Sequence, residues 1–268
     1  MPIRVLKKRL NKYGTDFEVK RHRQNNIKIL IKAKKLNDKR VNELILNQGK
    51  LEFWELYRGD AFFPFVMELN NSLIDEKEND SIKINPLLDL IASQGYQGGP
   101  VVFQTKKEDT ATINSFLNRK EAKFYLPSEY NHVKFLWGIP DSNNHIPLYV
   151  AKSNREKTPP LTGNSITDAF QNYDAINRPT VSINMDKEGA LIWERITGSA
   201  FRNATSIAIT INNTVYSAPG VTVGAIKGGK SEISGNFTLK EAQDLAIVLS
   251  SQESIPKLKL LEYSKLKN

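Results

Sequence analysis

Gly224, Gly229, Lys230 and Ser231 satisfy the G-x-x-x-x-G-K-[ST] spacing of a phosphate-binding loop. Such a loop works when a helix begins at its lysine, so that backbone N–H groups and the helix N-terminus converge on the phosphates. Here Lys230 is followed by Ser-Glu-Ile-Ser-Gly-Asn-Phe, in which Gly235 and Asn236 interrupt a first turn, and helical spacing starts only at Thr238. A strand ending in a magnesium-holding aspartate is also wanting, because Ser182 and Asn184 interrupt the nearest one, 181–186. A nucleotide-binding enzyme at Gly224–Ser231 is therefore the weak alternative. His22, His132 and His145 stand alone, without an H-E-x-x-H pair, and no serine occupies a G-x-S-x-G elbow. The absence of cysteine excludes disulfides, thiolate metal sites and cysteine nucleophiles together. Asp168 and Asp186 are placed to cap helices rather than to act as acid and base. The expectation is a protein with no catalytic, metal or cofactor site.

The elements around this stretch are more informative. Ile207, Ile209 and Ile211 alternate with small or polar residues, which predicts a strand with one buried face. Asn212-Asn213 supplies a hairpin turn, Val215 resumes the extended run, and Ser217-Ala218-Pro219-Gly220 stops it. From Phe237 the period changes. Leu239, Ala242, Leu245, Ala246 and Leu249 share one helical face, with Thr238 as N-cap and Glu241 as its capping-box partner. A strand led by Pro256 is expected to follow.

At the other end, Ile3, Leu6, Leu10 and Tyr13 mark a first helix that Gly14 ends. Residues 17–23 and 27–33 read as a hairpin around 24–26. A second helix, capped by Asn37 or Asp38, carries Val41, Leu44 and Ile45, and 51–57 is the next strand. This order, helix, strand, strand, helix, strand, is a split βαβ unit without its opening strand, so a ferredoxin-like half is expected. Between 58 and 160 the pattern loosens. Residues 86–92 and 110–117 read as helices, 134–138 and 147–152 as strands, 75–80 as an acidic loop, and Phe62, Phe63 and Phe65 as core aromatics. Residues 152–160 resemble a linker, 164–169 a short capped turn or helix, and 181–185 a strand leading into a helix capped by Asp186.

The chain has 268 residues, enough for one large or two small domains, and a net charge of +9. Residues 1–50 hold 15 Lys and Arg against 4 Asp and Glu, a net of +11, so the remainder is close to neutral. A basic lobe of this kind suits an anionic lipid surface or nucleic acid, or is simply a solvated face. It contains only two aromatics, Tyr13 and Phe17, so the stacking platform of a nucleic-acid module is missing. No run approaches the ~20 apolar residues of a membrane span, and no signal-peptide stretch follows Met1. Taken literally this describes a chain neither inserted nor exported; a piece of a larger membrane protein looks the same.

Several ordered motifs together resemble the SecD family. They are Leu161-Thr162-Gly163-Asn164-Ser165-Ile166-Thr167-Asp168-Ala169, the 178–185 strand with its 186–197 helix, the hairpin ending in Ser217-Ala218-Pro219, and Ile233-Ser234-Gly235-Asn236-Phe237-Thr238 with Glu241 and Ala242. The basic helix at the start of the chain, from Ile3, and the strand Leu51-Glu52-Phe53 resemble the same family's base region. Glu253-Ser254-Ile255-Pro256 departs from the family's usual Gly-Ala-Leu-Pro and keeps only the apolar residue before Pro256.

The resemblance implies an α+β extracytoplasmic domain of SecD, or of a fused SecDF, on the periplasmic side of the inner membrane. It implies a ferredoxin-like base from 1–57 and 238–268, and an inserted α/β head from 58–237 that includes an unassigned insertion, 58–160. The implied partners are the unfolded preprotein, SecF and the SecYEG channel, with the membrane reached through helices outside this sequence and no nucleic acid. A head that swings needs hinges, and Gly59, Pro159, Pro160 and Gly163 are the candidates.

Overall fold

The computed structural model describes residues 2–23, 25–32, 37–74, 85–130, 132–235, 237–251 and 253–264. The acidic loop 75–80, the turn residue Gln24 and Asn236 lie outside the described residues. In chain order the helices are α1 (Pro2–Tyr13), α2 (Asp38–Leu46), α3 (Gly59–Leu73), α4 (Thr110–Leu117), α5 (Lys187–Arg202) and α6 (Leu239–Leu249). The strands up to the middle of the chain are β1 (Asp16–His22), β2 (Asn26–Lys32), β3 (Leu51–Glu55), β4 (Ile91–Gln94), β5 (Val101–Lys106), β6 (Val133–Gly138) and β7 (His145–Lys152). Those beyond it are β8 (Leu161–Thr162), β9 (Ile166–Tyr173), β10 (Pro179–Met185), β11 (Ile207–Ile211), β12 (Thr214–Ser217) and β13 (Lys230–Ile233). They form two compact units. The first takes Met1–Glu52, Leu161–Trp193 and Lys227–Asn268, and the second Phe53–Pro160 and Glu194–Ile226.

In the first unit, α1 buries Val5, Leu6, Arg9 and Leu10 and ends at Gly14, whose φ of 78° is the left-handed stop that glycine tolerates best. The β1–β2 hairpin alternates about Val19 and Ile29, and its inner residues close a buried cluster with Val5, Leu6, Leu10 and Ile255. Asn37 caps α2 by accepting from the Arg40 N–H at 3.0 Å. A separate antiparallel sheet runs β13-β10-β9. Helix α6 packs on β9 and β10, and the inward-alternating Ala169, Val181, Ile183 and Ile233 are buried along with Ala242, Leu245 and Ala246. The opposite face carries Asp168, Phe170, Asn172, Lys230 and Glu232, the wet side of a one-sided antiparallel sheet.

The second unit is built on strands in the order β4-β5-β7-β6-β12-β11-β3. On one face α3 and α4 bring Phe62, Phe65, Val66, Leu69, Ile113 and Leu117 against Val102, Phe103, Leu148 and Val150. On the other, Trp54, Leu56, Leu136, Ala151, Ala208 and Val215 form a second cluster. With both faces covered, all of β11 is buried rather than one side of it. Asn212 and Asn213, at φ of 52° and 66°, make the tight β11–β12 turn expected of them. Buried Asn70 accepts from the N–H groups of Leu87 and Leu88, both at 3.1 Å, and fixes the chain before β4.

The α+β class and the helix, strand, strand, helix, strand order of the first 57 residues are as read. Among the described residues, however, β1 and β2 pair only with each other, while β3 joins the larger sheet. The compact units also cut the chain differently from the expected 1–57, 58–237 and 238–268. Residues 161–193 and 227–237 fall in the first unit, because β9, β10 and β13 make the sheet that α6 covers. The corrections are local. Residues 86–92 are a short 3-10 turn running into β4, because Asn70 holds the turn and Leu90 and Ile91 continue toward β5. Residues 166–169 are strand, paired with β10, so Asp168 caps no helix. Lys230 and Ser231 lie on β13, paired with Asn184 and Ile183, so no helix begins at Lys230 and the phosphate-loop reading fails. The segment after Pro256 has no strand partner among the described residues and runs without regular structure. Helix α3 and strand β5 were not anticipated.

Candidate functional site

The first unit presents an open sheet edge. Among the described residues β9 is the last strand of its sheet, and its hairpin to β10 leaves Phe170 46%, Tyr173 44% and Ile176 70% exposed. The tip is held by Asp174, which accepts from the N–H groups of Ile176 at 3.0 Å and Arg178 at 2.8 Å and pairs with the Arg178 side chain at 2.7 Å. These hydrogen bonds keep the Asp174 carboxyl below its ordinary range. An edge strand with exposed aromatic side chains can accept an extended peptide as an added strand, with little demand on that peptide's sequence.

The Leu161-Thr162-Gly163 motif lies elsewhere in the same unit. The Thr162 hydroxyl accepts from the Asn164 N–H at 3.4 Å, and a Cβ on Gly163 would come within 3.1 Å of the Leu51 Cβ. Thr162, Gly163 and Asn164 line a cleft of about 110 Å³ with Lys50, Glu52 and Glu253. Lys50 pairs with buried Glu52 at 2.7 Å, and Arg4 pairs with Glu253. Ligand sites usually enclose about 300–1,000 Å³, so the cleft is too small to hold more than a few atoms.

Beside it lies a group that sequence reasoning counted only as part of a basic lobe. Arg9 is 1% exposed. Its guanidinium donates to the carbonyls of Leu44 at 3.0 Å, Asn47, and Gln48 at 3.4 Å, and to the Ser251 hydroxyl at 3.5 Å. It thereby satisfies the otherwise orphaned carbonyls at the end of α2. Burial lowers its pKa to about 10, still far above neutrality. A Cβ on Gly49 would stand 2.7 Å from Arg9 Nη2, which explains the glycine. The periodicity of α1 gave no signal for this, because an arginine on that face breaks the apolar stripe.

The remaining singled-out residues separate. Gly59 opens α3 inside the second unit, donates to the Gly99 carbonyl at 2.8 Å, and would put a Cβ 1.9 Å from the Val101 carbonyl oxygen. Pro159 and Pro160 end an irregular, mostly exposed stretch after β7, and the boundary between units falls immediately after Pro160. Ser217 closes β12, half-buried Ala218 packs against the Trp54 cluster, and the Pro219 carbonyl accepts from Ile207. Gly235 lies against the Phe237 ring. Thr238 and Glu241 form the expected capping box, with Ala242 fully buried, and Pro256 is exposed next to buried Ile255. Asp186 caps α5 by accepting from the Gly189 N–H at 2.7 Å. In the second unit Glu55 pairs with Lys152 and accepts from Ser199 at 3.1 Å and Thr205 at 3.4 Å, a polar knot that sequence reasoning also missed. Among the described residues, no three His, Cys, Asp or Glu side chains are grouped to hold a metal, and no helix is long and apolar enough to cross a membrane.

Residues 142–253 match the profile of the SecDF P1 head subdomain. The protein translocase subunit SecD of Rhodothermus marinus is 36% identical over 180 residues, covering 67% of this chain and 28% of that protein. The SecD of Calditerrivibrio nitroreducens is 42% identical over 103 residues, covering 38% and 19%. This chain belongs to the SecD family. SecD of Rickettsia typhi matches more of it, 74%, at 26% identity and over 43% of the relative's length. The chain thus spans less than half the length of these SecD proteins. In fold it is similar to a solved structure of SecDF, a membrane component that enhances protein export, with a TM-score of 0.53 at 22% identity over 99% of this chain and 91% of that one. SecDF in its super-membrane-facing form gives 0.54 at 23%, over 96% of this chain and 26% of that one. The SecD head profile contains β9, its exposed hairpin and α6, the last of which the sequence reading gave to the base.

Proposed function

We propose that this chain is the extracytoplasmic domain of a SecD or SecDF subunit, on the periplasmic side of the inner membrane. There it holds the emerging preprotein while the membrane-embedded parts, with SecF and the SecYEG channel, use the proton gradient to complete export. The observation that carries this reading is the open β9 edge, with Phe170, Tyr173 and Ile176 exposed inside the region that matches the head profile. A translocating chain is unfolded and of any sequence, so main-chain pairing plus apolar contact suits it better than a shaped pocket. In this layout the base is 1–57 with 238–268, and the hinge candidates are Gly59, where the chain leaves the base, and Pro159, Pro160 and Gly163, where the 58–160 insertion ends.

The test is a titration of this chain with an unfolded secretory polypeptide, with its folded form and a DNA duplex as controls, at low and moderate salt. Preference for the unfolded chain that survives salt, and that falls at least about tenfold in F170S/Y173S/I176S, is the expected result. Binding to DNA alone, or polypeptide binding indifferent to the triple substitution, overturns it.

A further inference from the structure

The register of the smaller sheet fixes which main-chain groups β9 turns outward. In an antiparallel ladder hydrogen-bonded and non-hydrogen-bonded pairs alternate, so every second residue of an edge strand aims its N–H and C=O away from the sheet. The Asp174 N–H donates to the Arg178 carbonyl at 3.0 Å, and by alternation Asn172 with Thr180 and Phe170 with Ser182 are also bonded pairs. The far side of β10 agrees. There the Met185 N–H donates toward β13, to the Gly229 carbonyl at 2.9 Å, which leaves Thr180, Ser182 and Asn184 facing β9. Pro179, with no N–H to give, stands opposite Tyr173 at a position that needs none. Ala169, Gln171 and Tyr173 therefore point their N–H and C=O groups out of the sheet, and among the described residues no other element bonds to them through its backbone. At the opposite edge the same alternation turns out the groups of Lys230 and Glu232, exposed charges of the kind that keep an edge from pairing. Residues 169–173 carry no charge. Their side chains alternate, with Phe170 on the wet face and Tyr173 on the face of buried Ala169.

We infer that β9 takes an extended polypeptide segment as an added strand, joined through the main chain of Ala169, Gln171 and Tyr173 and flanked on its two faces by Phe170 and Tyr173. The inference rests on the preprotein reading above and names the segment that this edge accepts. It is about five extended residues long, with no proline where its own N–H groups meet β9 and with apolar side chains for both faces. A second copy of the chain fits less well. The antiparallel register that joins all three outward residues to their counterparts, Ala169 with Tyr173 and Gln171 with itself, sets Asp168 opposite Asp174, and like charges across a strand pair cost stability.

The probe is the synthetic peptide Thr-Val-Thr-Val-Thr-Val-Thr, offered to the whole chain, with amide hydrogen exchange followed residue by residue. In the free chain the amides of Phe170 and Asn172 are protected by β10 while those of Ala169, Gln171 and Tyr173 exchange readily; with the peptide bound, exchange at these three slows at least about tenfold. Gln171→Pro removes one outward N–H and no bond of the sheet, so it weakens peptide binding at least about tenfold at an unchanged melting temperature. Should that variant melt early, the peptide itself decides. N-methylation of neighbouring central residues blocks both of its edges and weakens binding at least about tenfold, whereas methylation of alternate residues leaves one edge free and binding in place. A peptide that does not bind, unchanged exchange at Gln171 and Tyr173 with peptide bound, equal effects of the two methylation patterns, or a dimer of the chain that forms without peptide and is lost in Gln171→Pro overturns the inference. The preprotein reading fails separately. A secretory polypeptide held as tightly by a folded Gln171→Pro as by the unsubstituted chain, yet lost in F170S/Y173S/I176S, removes this inference alone. A peptide strand added at β9 by a chain with no preference for unfolded secretory polypeptide removes the preprotein reading alone.

Discussion

Arg9 shows how one side chain can hold three segments together. Its five donors fit the carbonyls of Leu44, Asn47 and Gln48 and the hydroxyl of Ser251, a set no other residue type can reach at once. Arg9→Ala leaves those carbonyls buried and unpaired around a cavity, and is expected to cost about 3 kcal/mol or more in urea unfolding. Arg9→Lys recovers little, because one ammonium cannot span the set. A second residue gives the fold a pH limit. Burial, aided by Tyr96, raises the Tyr149 hydroxyl to about 12. A raised tyrosine means that the folded state binds the proton more tightly, so its contribution is complete below the unfolded value near 10 and is lost as pH rises toward 12. Stability should therefore fall by up to about 1.4 kcal/mol per pH unit in that window. Tyr149→Phe should flatten the slope of urea midpoints measured at about pH 9 and pH 11.

Elements were legible where their cause is local. The Thr238–Glu241 box, the Asn37 cap, the Asp186 cap and the Asn212-Asn213 turn each depend on residues within a turn of one another, and each stands as read. Elements whose state is decided at a distance were not. Helix α3 begins at Gly59 and contains Pro64, two residues that punctuate sequence patterns. It is nevertheless helical because Phe62, Phe65, Val66 and Leu69 all find the β5–β7 face. β13 hid within the letters of a phosphate loop, since only pairing with β10 makes Lys230–Ile233 a strand. β9 offered a capped turn to the eye, and its partner strand overrode it. The candidate surface follows the same rule. Phe170, Tyr173 and Ile176 could be read as ordinary apolar residues until the sheet order made β9 an edge.

For the whole chain, the interleaving of its two units matters most, and it escaped the sequence because no composition change marks residues 52, 193 or 226. The one boundary with a readable sign is Pro159-Pro160, where trypsin has exposed Arg155 and Lys157 to attack. Brief digestion should cut there at least about ten times faster than after Arg58, which directly precedes α3 and pairs with Asp60 at 2.6 Å. Faster cutting at Arg58 would move the hinge to Gly59. The bond from Arg9 to Ser251 spans 242 residues. A ribosome adding about 5–20 residues per second needs roughly 12–50 s to make that span, so the first helix is finished long before its anchor exists. Over that interval an amphipathic, positively charged α1 has no completed core to join, which makes it the natural client of whatever guards nascent chains, and makes truncation near the C-terminus a lesion of the N-terminus.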